Sequence, residues 1–471
     1  MSLSNPPDAS WRALLSGRNG LRSIALAGGV ALHAINVYIV VTILPSIIAD
    51  IGGLAYYAWS TTLFVVTSIV GSTLAAKLID QLGPRWAYLL GLAVFSCGTL
   101  LCALAPSMPL LLLGRSIQGL GGGILMALSY ALIRLLFESH LWARGMALVS
   151  GMWGIATLCG PAIGGLFAQG GHWRWAFLFL LPVALVLALI VMRELSPHPV
   201  KSPVPIRIPA LTIGLLVASV LVISVASLSP DLMWQVLGIV AGLAIVVMVG
   251  RRDTRAQVKL LPSGAYTLST QLGVVYAMMC LLVASITPEI FVPYFLQTIH
   301  GFSPLTAGYM TAAMAAGWTV GSVYSAGKNG HIVASMLKFG PLVIVVALLS
   351  LAAMTPLLGW LTATPQLVVY CIALAGVGLG IGMGWPHLLT HVLNSAPKGQ
   401  EGLASASIST IQLYATAFAA ALAGVVANGA GLTQPGGVVG AQSAALWVFV
   451  LFALAPSLAF VWVRRLRGLA S

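Results

Sequence analysis

The chain has 471 residues, of which 59% are hydrophobic and only 7% are charged. Soluble globular proteins have about 45–50% apolar and about 25% charged residues, so a soluble fold of this length is excluded. The net charge of +13 comes from bases scattered between apolar segments, which excludes the concentrated basic patch of a nucleic-acid-binding protein.

The apolar segments are long enough to cross a lipid bilayer as helices, which takes about 20 residues each. Breaks at proline, glycine and charged residues predict an all-α integral membrane protein with fourteen spans. In chain order, the predicted spans are 23–48, 55–79, 86–105, 108–137, 142–169, 173–193, 208–228, 232–250, 264–297, 304–326, 334–357, 365–393, 402–428 and 440–463. The five cysteines lie inside these spans without metal-type spacing, so we expect neither disulfides nor a zinc site.

The distribution of lysine and arginine gives an independent test of these spans. With a cytoplasmic N-terminus, all of the 22 bases except Arg115 and Arg174 fall in predicted cytoplasmic segments. This is the asymmetry that the positive-inside rule requires, and the loss of one span would invert every later loop. We therefore expect both termini in the cytoplasm and a location in the bacterial cytoplasmic membrane.

Short glycine-containing segments recur in the same order in both halves of the chain, as where Gly165-Leu166 is followed much later by Gly424-Val425. Such internal similarity predicts two six-helix bundles, and the remaining pair of spans is an insert between them. The predicted units are a cytoplasmic tail 1–22, a first bundle 23–193, a cytoplasmic linker 194–207, two inserted helices 208–250, a cytoplasmic loop 251–263, a second bundle 264–463 and a tail 464–471.

Three motifs resemble signatures of the major facilitator superfamily. The segment 76–85 is similar to its G-x-L-x-D-x-x-G-R-[RK] loop, although Ala76 replaces the glycine and Pro84 the first base. The segment 115–119 is similar to the superfamily's R-x-x-Q-G motif, and the segment 151–165 to the G-x-x-x-G-P-x-x-G-G motif of its antiporters. The gating positions carried over from the first and third motifs are Asp80, Gly83, Arg85, Gly160, Pro161, Gly164 and Gly165.

Together with the order of six, two and six spans, these motifs resemble the fourteen-span drug:proton antiporter family. The resemblance implies export of organic amphiphiles in exchange for protons, by rocking of the two bundles. It implies no enzymatic activity and no cofactor other than the proton gradient. We expect a monomer whose partners are its small-molecule substrate, protons and the lipid bilayer, and no nucleic acid.

A proton-coupled exporter needs a group that can take up and release a proton inside the membrane. The family pattern places an aspartate in the first span where this chain has Asn36, which cannot titrate. Glu289 is the only carboxyl well inside a span, about 12 Å from its outer end, and Arg115 lies at a similar depth. We predict that Glu289 couples transport to protons, with Arg115 and His33 as further candidates.

The predicted substrate cavity lies between the two bundles near the middle of the membrane. Its candidate polar and aromatic residues are Asn36, Tyr38, Trp59, Gln118, Tyr130, Tyr294, Gln297, Trp385 and Gln412. His387 and His391 share a helix face and could ligate a metal, but the sequence supplies no third ligand, so an interfacial or gating role is favoured.

The small number of acidic residues in the spans indicates which charge the cargo has. A pump for lipophilic cations needs several membrane carboxylates to compensate the charge of its cargo, and this chain has one. Neutral or zwitterionic amphiphiles are therefore favoured. The alternatives are export of a small anionic metabolite such as a metallophore, and proton-independent facilitation. A receptor or lipid flippase on the same fold stays open, whereas no filter sequence of a channel is present.

Overall fold

The computed structural model describes residues 10–201, 207–328, 330–357 and 363–466. Within these ranges the chain is helical, and no β-strand occurs. Parts of the predicted tails and linker, namely 1–9, 202–206 and 467–471, lie outside the described residues.

The α-helices are numbered in chain order. They are α1 (Trp11–Leu15), α2 (Gly17–Ile51), α3 (Tyr57–Leu104), α4 (Met108–Ala131), α5 (Ile133–Leu136), α6 (Trp142–Gln169), α7 (Trp173–Leu178), α8 (Leu180–Glu194), α9 (Ala210–Ala226), α10 (Leu232–Arg255), α11 (Gln271–Ile286), α12 (Val292–His300), α13 (Pro304–Ala326), α14 (His331–Leu357), α15 (Ala363–Asn394), α16 (Glu401–Gly429), α17 (Gly437–Phe452) and α18 (Leu454–Trp462). Short 3-10 helices occur at Leu54–Tyr56, Ser139–Leu141, Thr287–Phe291 and Val463–Arg465.

In the described part of the chain, 11 helical segments are long and apolar enough to cross a membrane. The multi-pass helical architecture is thus confirmed, although this number differs from the fourteen predicted spans. One segment, Leu54–Leu104, contains two predicted spans, because α3 continues through a kink at Gly83. The helices α9, with 17 residues, and α13 are not among the 11.

Several element boundaries differ from those predicted. α2 begins at Gly17, before the predicted start at residue 23. The predicted span 264–297 begins as a helix only at Gln271 and is divided by the 3-10 helix Thr287–Phe291. Pro288 and Pro293 cause this division, because each lacks the backbone N–H that an α-helix needs at that position.

Glycines bring helices into close contact in both halves of the chain. In the first half, a Cβ at Gly98 would lie 2.2 Å from the Gln118 backbone nitrogen, so α3 and α4 pack with their backbones almost in contact. In the second half, a Cβ at Gly378 would lie 1.7 Å from the Met314 carbonyl oxygen, so α15 packs equally closely on α13. Small residues at helix interfaces permit this approach inside a membrane.

The helices α9 and α10 form a pair that lies against the second half of the chain. They pack closely on each other, since a Cβ at Gly238 of α10 would lie 2.1 Å from the Ala226 Cβ of α9. The Ser219 and Tyr414 hydroxyls are 2.8 Å apart, which joins α9 to α16. At the end of α9, the Ser227 carbonyl accepts a hydrogen bond of 2.9 Å from the Asn428 amide.

A buried carboxylate orders the loop that follows α10. Asp253 accepts hydrogen bonds from the backbone N–H groups of Leu260 and Leu261, at 2.8 and 3.1 Å, and from the Tyr266 hydroxyl at 3.1 Å. Burial and the neighbouring Asp253 carboxylate raise the pKa of the Tyr266 phenol, so its hydroxyl stays protonated and continues to donate. The loop thereby fixes the direction in which the chain enters α11.

Candidate functional site

The two halves of the chain meet at the end of the molecule that contains the C-terminus of α6 and the N-terminus of α13. A Cβ at Gly165 of α6 would lie 2.6 Å from the Leu305 Cα of α13. A Cβ at Gly308 of α13 would lie 2.7 Å from the Thr42 methyl group of α2. There is no space for a side chain at either glycine, so the halves are closed against each other here.

The remaining motif glycines of α6 bring α2 to the same place. A Cβ at Gly160 would lie 2.4 Å from the Tyr38 Cβ, and one at Gly164 would lie 3.0 Å from the Ile39 carbonyl oxygen. Pro161, between them, lies against α13, where a Cβ at Gly308 would be 3.1 Å from its Cβ. We call the region around Gly160, Gly164, Gly165 and Gly308 the glycine interface, in which Gly165 and Gly308 form the contacts between the two halves.

The other end of α6 lacks such contacts. A Cβ at Gly151 or Gly154 would meet no atom within 4 Å. On α13, Val320 and Val323 are exposed near the corresponding end. The close contacts between α6 and α13 therefore lie at the glycine interface, and these positions at the opposite ends of the two helices form none.

Glu289 lies in the irregular segment between α11 and α12. It is half-buried in the 3-10 helix Thr287–Phe291. Within the described residues, no hydrogen bond or ion pair to its carboxylate is found. In that part of the chain, the Glu289 carboxylate thus has no fixed partner.

Aromatic side chains from both halves pack against each other beside Glu289. The Tyr57 ring of α3 stacks on Phe291 with the centroids 4.8 Å apart, and its edge contacts Tyr294 of α12 at 5.5 Å. Phe291 in turn stacks on Phe295 at 5.8 Å. These rings join the two halves near the closed end and bury Tyr57.

Arg115 is held entirely within the first half. Its Nε donates to the Ser60 carbonyl at 3.3 Å, one terminal nitrogen donates to the Gln118 side chain, and its guanidinium lies 4.1 Å above the Phe64 ring centre. Gln118 also donates to the Thr99 hydroxyl at 2.8 Å and is fully buried. Gln118 is therefore a partner of Arg115 rather than part of a cavity wall, and Arg115 and Glu289 are not brought together.

The first span contributes two buried polar residues to the same region. The His33 ring packs against Phe64 and Trp153, with centroids 5.1 and 5.9 Å apart. Asn36, one helical turn further along, is fully buried. Neither the amide nitrogen nor the amide oxygen of Asn36 has a hydrogen-bond partner in the described part of the protein.

Other buried polar atoms without partners lie on α3 and α12. In the described ranges they include the Tyr57 hydroxyl, the Trp59 indole nitrogen, the Ser60 hydroxyl and the Gln297 amide nitrogen. Most buried polar groups in proteins are hydrogen-bonded, so such a concentration is typical of a site that receives a polar ligand or water. The sequence prediction included Trp59 and Gln297 but missed Tyr57 and Ser60, whose only signal was their position beside Trp59.

Three further predicted cavity residues lie on α4, α15 and α16. Tyr130 of α4 shares a hydrogen bond of 3.3 Å with Ser150 of α6. Trp385 of α15 packs against Trp318 of α13, with the ring centroids 5.4 Å apart. Gln412 is half-buried on α16.

The loop motif at 76–85 binds the segment that follows α8, where the sixth predicted span ends. Gly83 has a φ of 82°, a conformation that favours glycine. Arg85 donates from Nε to the Leu195 carbonyl at 2.8 Å, and Asp80 lies 3.7 Å from the Lys201 ammonium. The motif thus connects α3 to the segment that follows α8.

The His387 and His391 pair has no further ligand, since the described residues contain no group of three His, Cys, Asp or Glu side chains arranged to hold a metal.

Comparisons with known proteins identify the fold and the relatives. Residues 26–420 match the family model described as Major Facilitator Superfamily. A probable multidrug-efflux transporter of Mycobacterium tuberculosis is 41% identical over 463 residues, which cover 96% of this chain and 95% of the relative. A multidrug transporter protein of Bacillus subtilis is 27% identical over 433 residues, covering 88% of this chain and 76% of the relative.

Solved structures show the same fold at low sequence identity. A transporter of the POT family in complex with 5-aminolevulinic acid superimposes with a TM-score of 0.68 at 15% identity, covering 95% of this chain and 97% of the other. A D-xylose–proton symporter superimposes with a TM-score of 0.65 at 13% identity, covering 97% and 98%.

Proposed function

We propose that this chain, which belongs to the major facilitator superfamily of membrane transporters, exports organic amphiphiles of the drug type in exchange for protons. Its multi-pass helical architecture fits that family. The names of the Mycobacterium tuberculosis and Bacillus subtilis relatives support drug efflux, and the first of them aligns over nearly the whole of both chains.

The proposed topology has fourteen crossings and two cytoplasmic termini. It takes the 11 apolar segments, divides Leu54–Leu104 at the Gly83 kink, and adds α9 and α13. The asymmetric distribution of lysine and arginine supports this orientation. In it, the glycine interface lies at the outer side, and the cleft between the halves opens to the cytoplasm.

A cleft closed at one side of the membrane supports transport by alternating access. Two six-helix bundles can rock against each other, so that the contacts at one end separate while the opposite ends come together. We propose this motion between the bundle 23–193 and the bundle 264–463. Cargo would enter from the cytoplasm in the conformation described here and leave after the glycine interface separates.

The proposal of proton coupling rests on one observation, the position of the Glu289 carboxylate. It lies on the irregular part Thr287–Phe291 of the second half, within the apolar segment Gln271–His300 that is long enough to cross the membrane. Because Arg115 is engaged by Ser60, Gln118 and Phe64, it does not hold Glu289 ionised. An unpaired carboxylate inside the membrane can bind a proton in one conformation and release it in the other.

The cavity chemistry favours neutral or zwitterionic cargo. Its unpartnered groups on Asn36, Trp59, Ser60 and Gln297 are uncharged donors and acceptors, which suit hydroxyl, carbonyl and amide groups of a ligand. A strongly cationic cargo would find only Glu289 as a compensating charge. Export of a small anionic metabolite such as a metallophore is the alternative, and proton-independent facilitation is the second.

Proton release from everted membrane vesicles tests this proposal. Vesicles acidified inside and carrying a pH-sensitive dye should become more alkaline when a cargo is added, for the wild type and not for Glu289→Gln. Asp231→Asn is a matched control, because Asp231 is an exposed carboxylate that caps α10, and asparagine caps a helix equally well. We expect at least a tenfold loss of the response in Glu289→Gln and none in Asp231→Asn.

Two results would contradict the proposal. An undiminished response in Glu289→Gln would exclude this carboxylate as the coupling group. Cargo movement down its own gradient, with no proton response in the wild type, would establish a facilitator. A panel of cationic, zwitterionic, neutral and anionic amphiphiles in the same vesicles ranks the cargo classes.

A further inference from the structure

Three arginines at the C-terminal end of α10 line a pocket on the surface of the molecule. This pocket has a volume of about 430 Å³, and it is lined by Met248, Arg251, Arg252, Arg255 and Ala256. Met248 and the three arginines have the spacing i, i+3, i+4 and i+7, which places them on one face of the helix. The site therefore combines an apolar side chain with three guanidinium groups.

The positive charge of this face is not compensated. All three arginines are exposed, and in the part of the chain that the structure describes they form neither ion pairs nor side-chain hydrogen bonds. Asp253 is the only acid in α10, and it is buried. Its two oxygens are already occupied by Leu260, Leu261 and Tyr266.

The position of the arginines along α10 corresponds to the level of lipid headgroups. The helix exposes apolar side chains along its length, from Trp234 near one end to Met248. At about 1.5 Å per residue, Trp234 is about 26 Å from Arg251 and about 31 Å from Arg255 along the axis. These distances match the hydrocarbon thickness of about 30 Å, and tryptophan prefers the interface. The arginines thus lie at the opposite interface.

We propose that Arg251, Arg252 and Arg255 bind the phosphate headgroup of an anionic phospholipid, of the phosphatidylglycerol or cardiolipin class. Guanidinium groups bind phosphate oxygens in a bidentate manner, and basic pockets on the cytoplasmic side of membrane proteins favour such headgroups. The exposed apolar face of α10 receives the acyl chains next to Met248. A lipid satisfies both parts of the site, whereas free phosphate satisfies only the guanidinium groups.

Ligand-induced stabilisation of the full-length, delipidated protein tests this site. Its thermal unfolding is measured in detergent with increasing dioleoylphosphatidylglycerol, dioleoylphosphatidylcholine or inorganic phosphate. The variants are Arg251→Gln/Arg255→Gln and, as a control with the same loss of charge at another exposed cytoplasmic position, Arg464→Gln/Arg465→Gln. Arg252→Gln is the milder second variant.

The expected results distinguish a phospholipid site from a nonspecific response to lost positive charge. Each arginine near an anionic headgroup contributes about 1 kcal/mol, so Arg251→Gln/Arg255→Gln should bind phosphatidylglycerol roughly 30-fold more weakly, and Arg252→Gln roughly 5-fold. The control variant and the wild type should respond equally. Without lipid, both double variants must unfold as the wild type does, which shows that they fold.

Three outcomes would overturn the proposal. The first is an equal phosphatidylglycerol response in wild type and Arg251→Gln/Arg255→Gln. The second is equal stabilisation by phosphatidylcholine, which would show that only the acyl chains matter. The third is saturable competition by millimolar inorganic phosphate, which would assign the site to a soluble anion. If the double variant does not fold, an unchanged lipid affinity of Arg252→Gln likewise overturns the proposal.

Discussion

At the scale of single residues, Arg115 and Asn36 differ in whether their buried polar atoms have partners. Arg115 carries a full charge, yet its donors reach Ser60 and Gln118 and its face covers Phe64. Asn36 is uncharged, but both of its amide atoms are buried without partners in the described residues. A buried unsatisfied amide lowers stability, so its retention in this cleft points to a role in binding.

Replacement of Asn36 by leucine should separate stability from transport. Leucine has the same branching at Cγ and removes the unsatisfied amide, so Asn36→Leu should raise the free energy of unfolding by about 1–2 kcal/mol. Transport of hydrogen-bonding cargo should fall several-fold. Thermal unfolding in detergent and efflux from loaded cells measure the two effects.

Ser68, a buried polar residue that is hydrogen-bonded, serves as the comparison for Asn36. Ser68 donates to the Phe64 carbonyl at 2.7 Å, so Ser68→Ala should destabilise the protein by about 1 kcal/mol. A lower melting temperature for Asn36→Leu, similar to that of Ser68→Ala, would show that Asn36 is satisfied in the resting protein.

The sequence predicts which residues are candidates for the site, but not which way their side chains point. Counting along the predicted spans assigns Glu289 and Arg115 similar depths, and these depths stay a prediction. Whether the two side chains face each other depends on the rotation of each helix about its axis, which a span that is apolar on all faces does not specify. The structure turns Arg115 into the first half, where its partner Gln118 lies at i+3 on the same helix, a spacing that the sequence already contains.

At the scale of secondary-structure elements, glycine determines how closely the helices approach. The motif of α6 was recognisable from the sequence, and Gly160, Gly164 and Gly165 all lie at close contacts. The loop expected between two spans corresponds to Gly83, where the backbone leaves the helical conformation (φ 82°, ψ 165°) and the two helices numbered together as α3 meet at a kink. Short polar turns inside apolar sequence are hard to distinguish from kinks, because both keep the helical hydrogen bonds on either side.

Substitution of Gly165 should open the closed end of the cleft. The Cβ of Gly165→Ala would lie 2.6 Å from the Leu305 Cα, so the conformation with separated halves becomes favoured. Spin labels at the exposed positions His172 and Val438, on opposite halves, should show a longer mean distance and slower transport. Double electron–electron resonance spectroscopy in proteoliposomes measures this distance.

The same helix provides the control for this change. A Cβ at Gly154 would meet no atom within 4 Å, so Gly154→Ala should leave both the distance distribution and transport unchanged. Equal effects of the two substitutions would mean that alanine acts through α6 itself rather than through contact with α13.

At the scale of the whole molecule, the α9–α10 pair is attached to one half by polar contacts. Tyr414 and Asn428 of α16 bind Ser219 and Ser227, respectively. Towards the first half, Val220 packs in an apolar cluster with α3 residues. Apolar surfaces slide past each other more readily than hydrogen-bonded ones separate, so the pair should move with the second half.

Distances between labelled helices can test this division during transport. Labels at Val240 of α10 and Val439 of α17 should keep their distance when cargo or a pH gradient is applied. The proposed rocking of the halves predicts that labels at Val240 and Leu166 of α6 change their distance by several ångströms. The reverse pattern would assign the inserted pair to the first half.

The glycine interface also limits how this transporter can evolve. Every missense change of a glycine codon adds a side chain, and Gly160, Gly164, Gly165 and Gly308 have no space for one in the closed conformation. Spontaneous variants with a changed drug spectrum should therefore arise in the cleft wall, around Asn36, Trp59 and Gln297. Resistance selected under a new compound would then leave the contacts at the glycine interface intact while altering which compounds the transporter accepts.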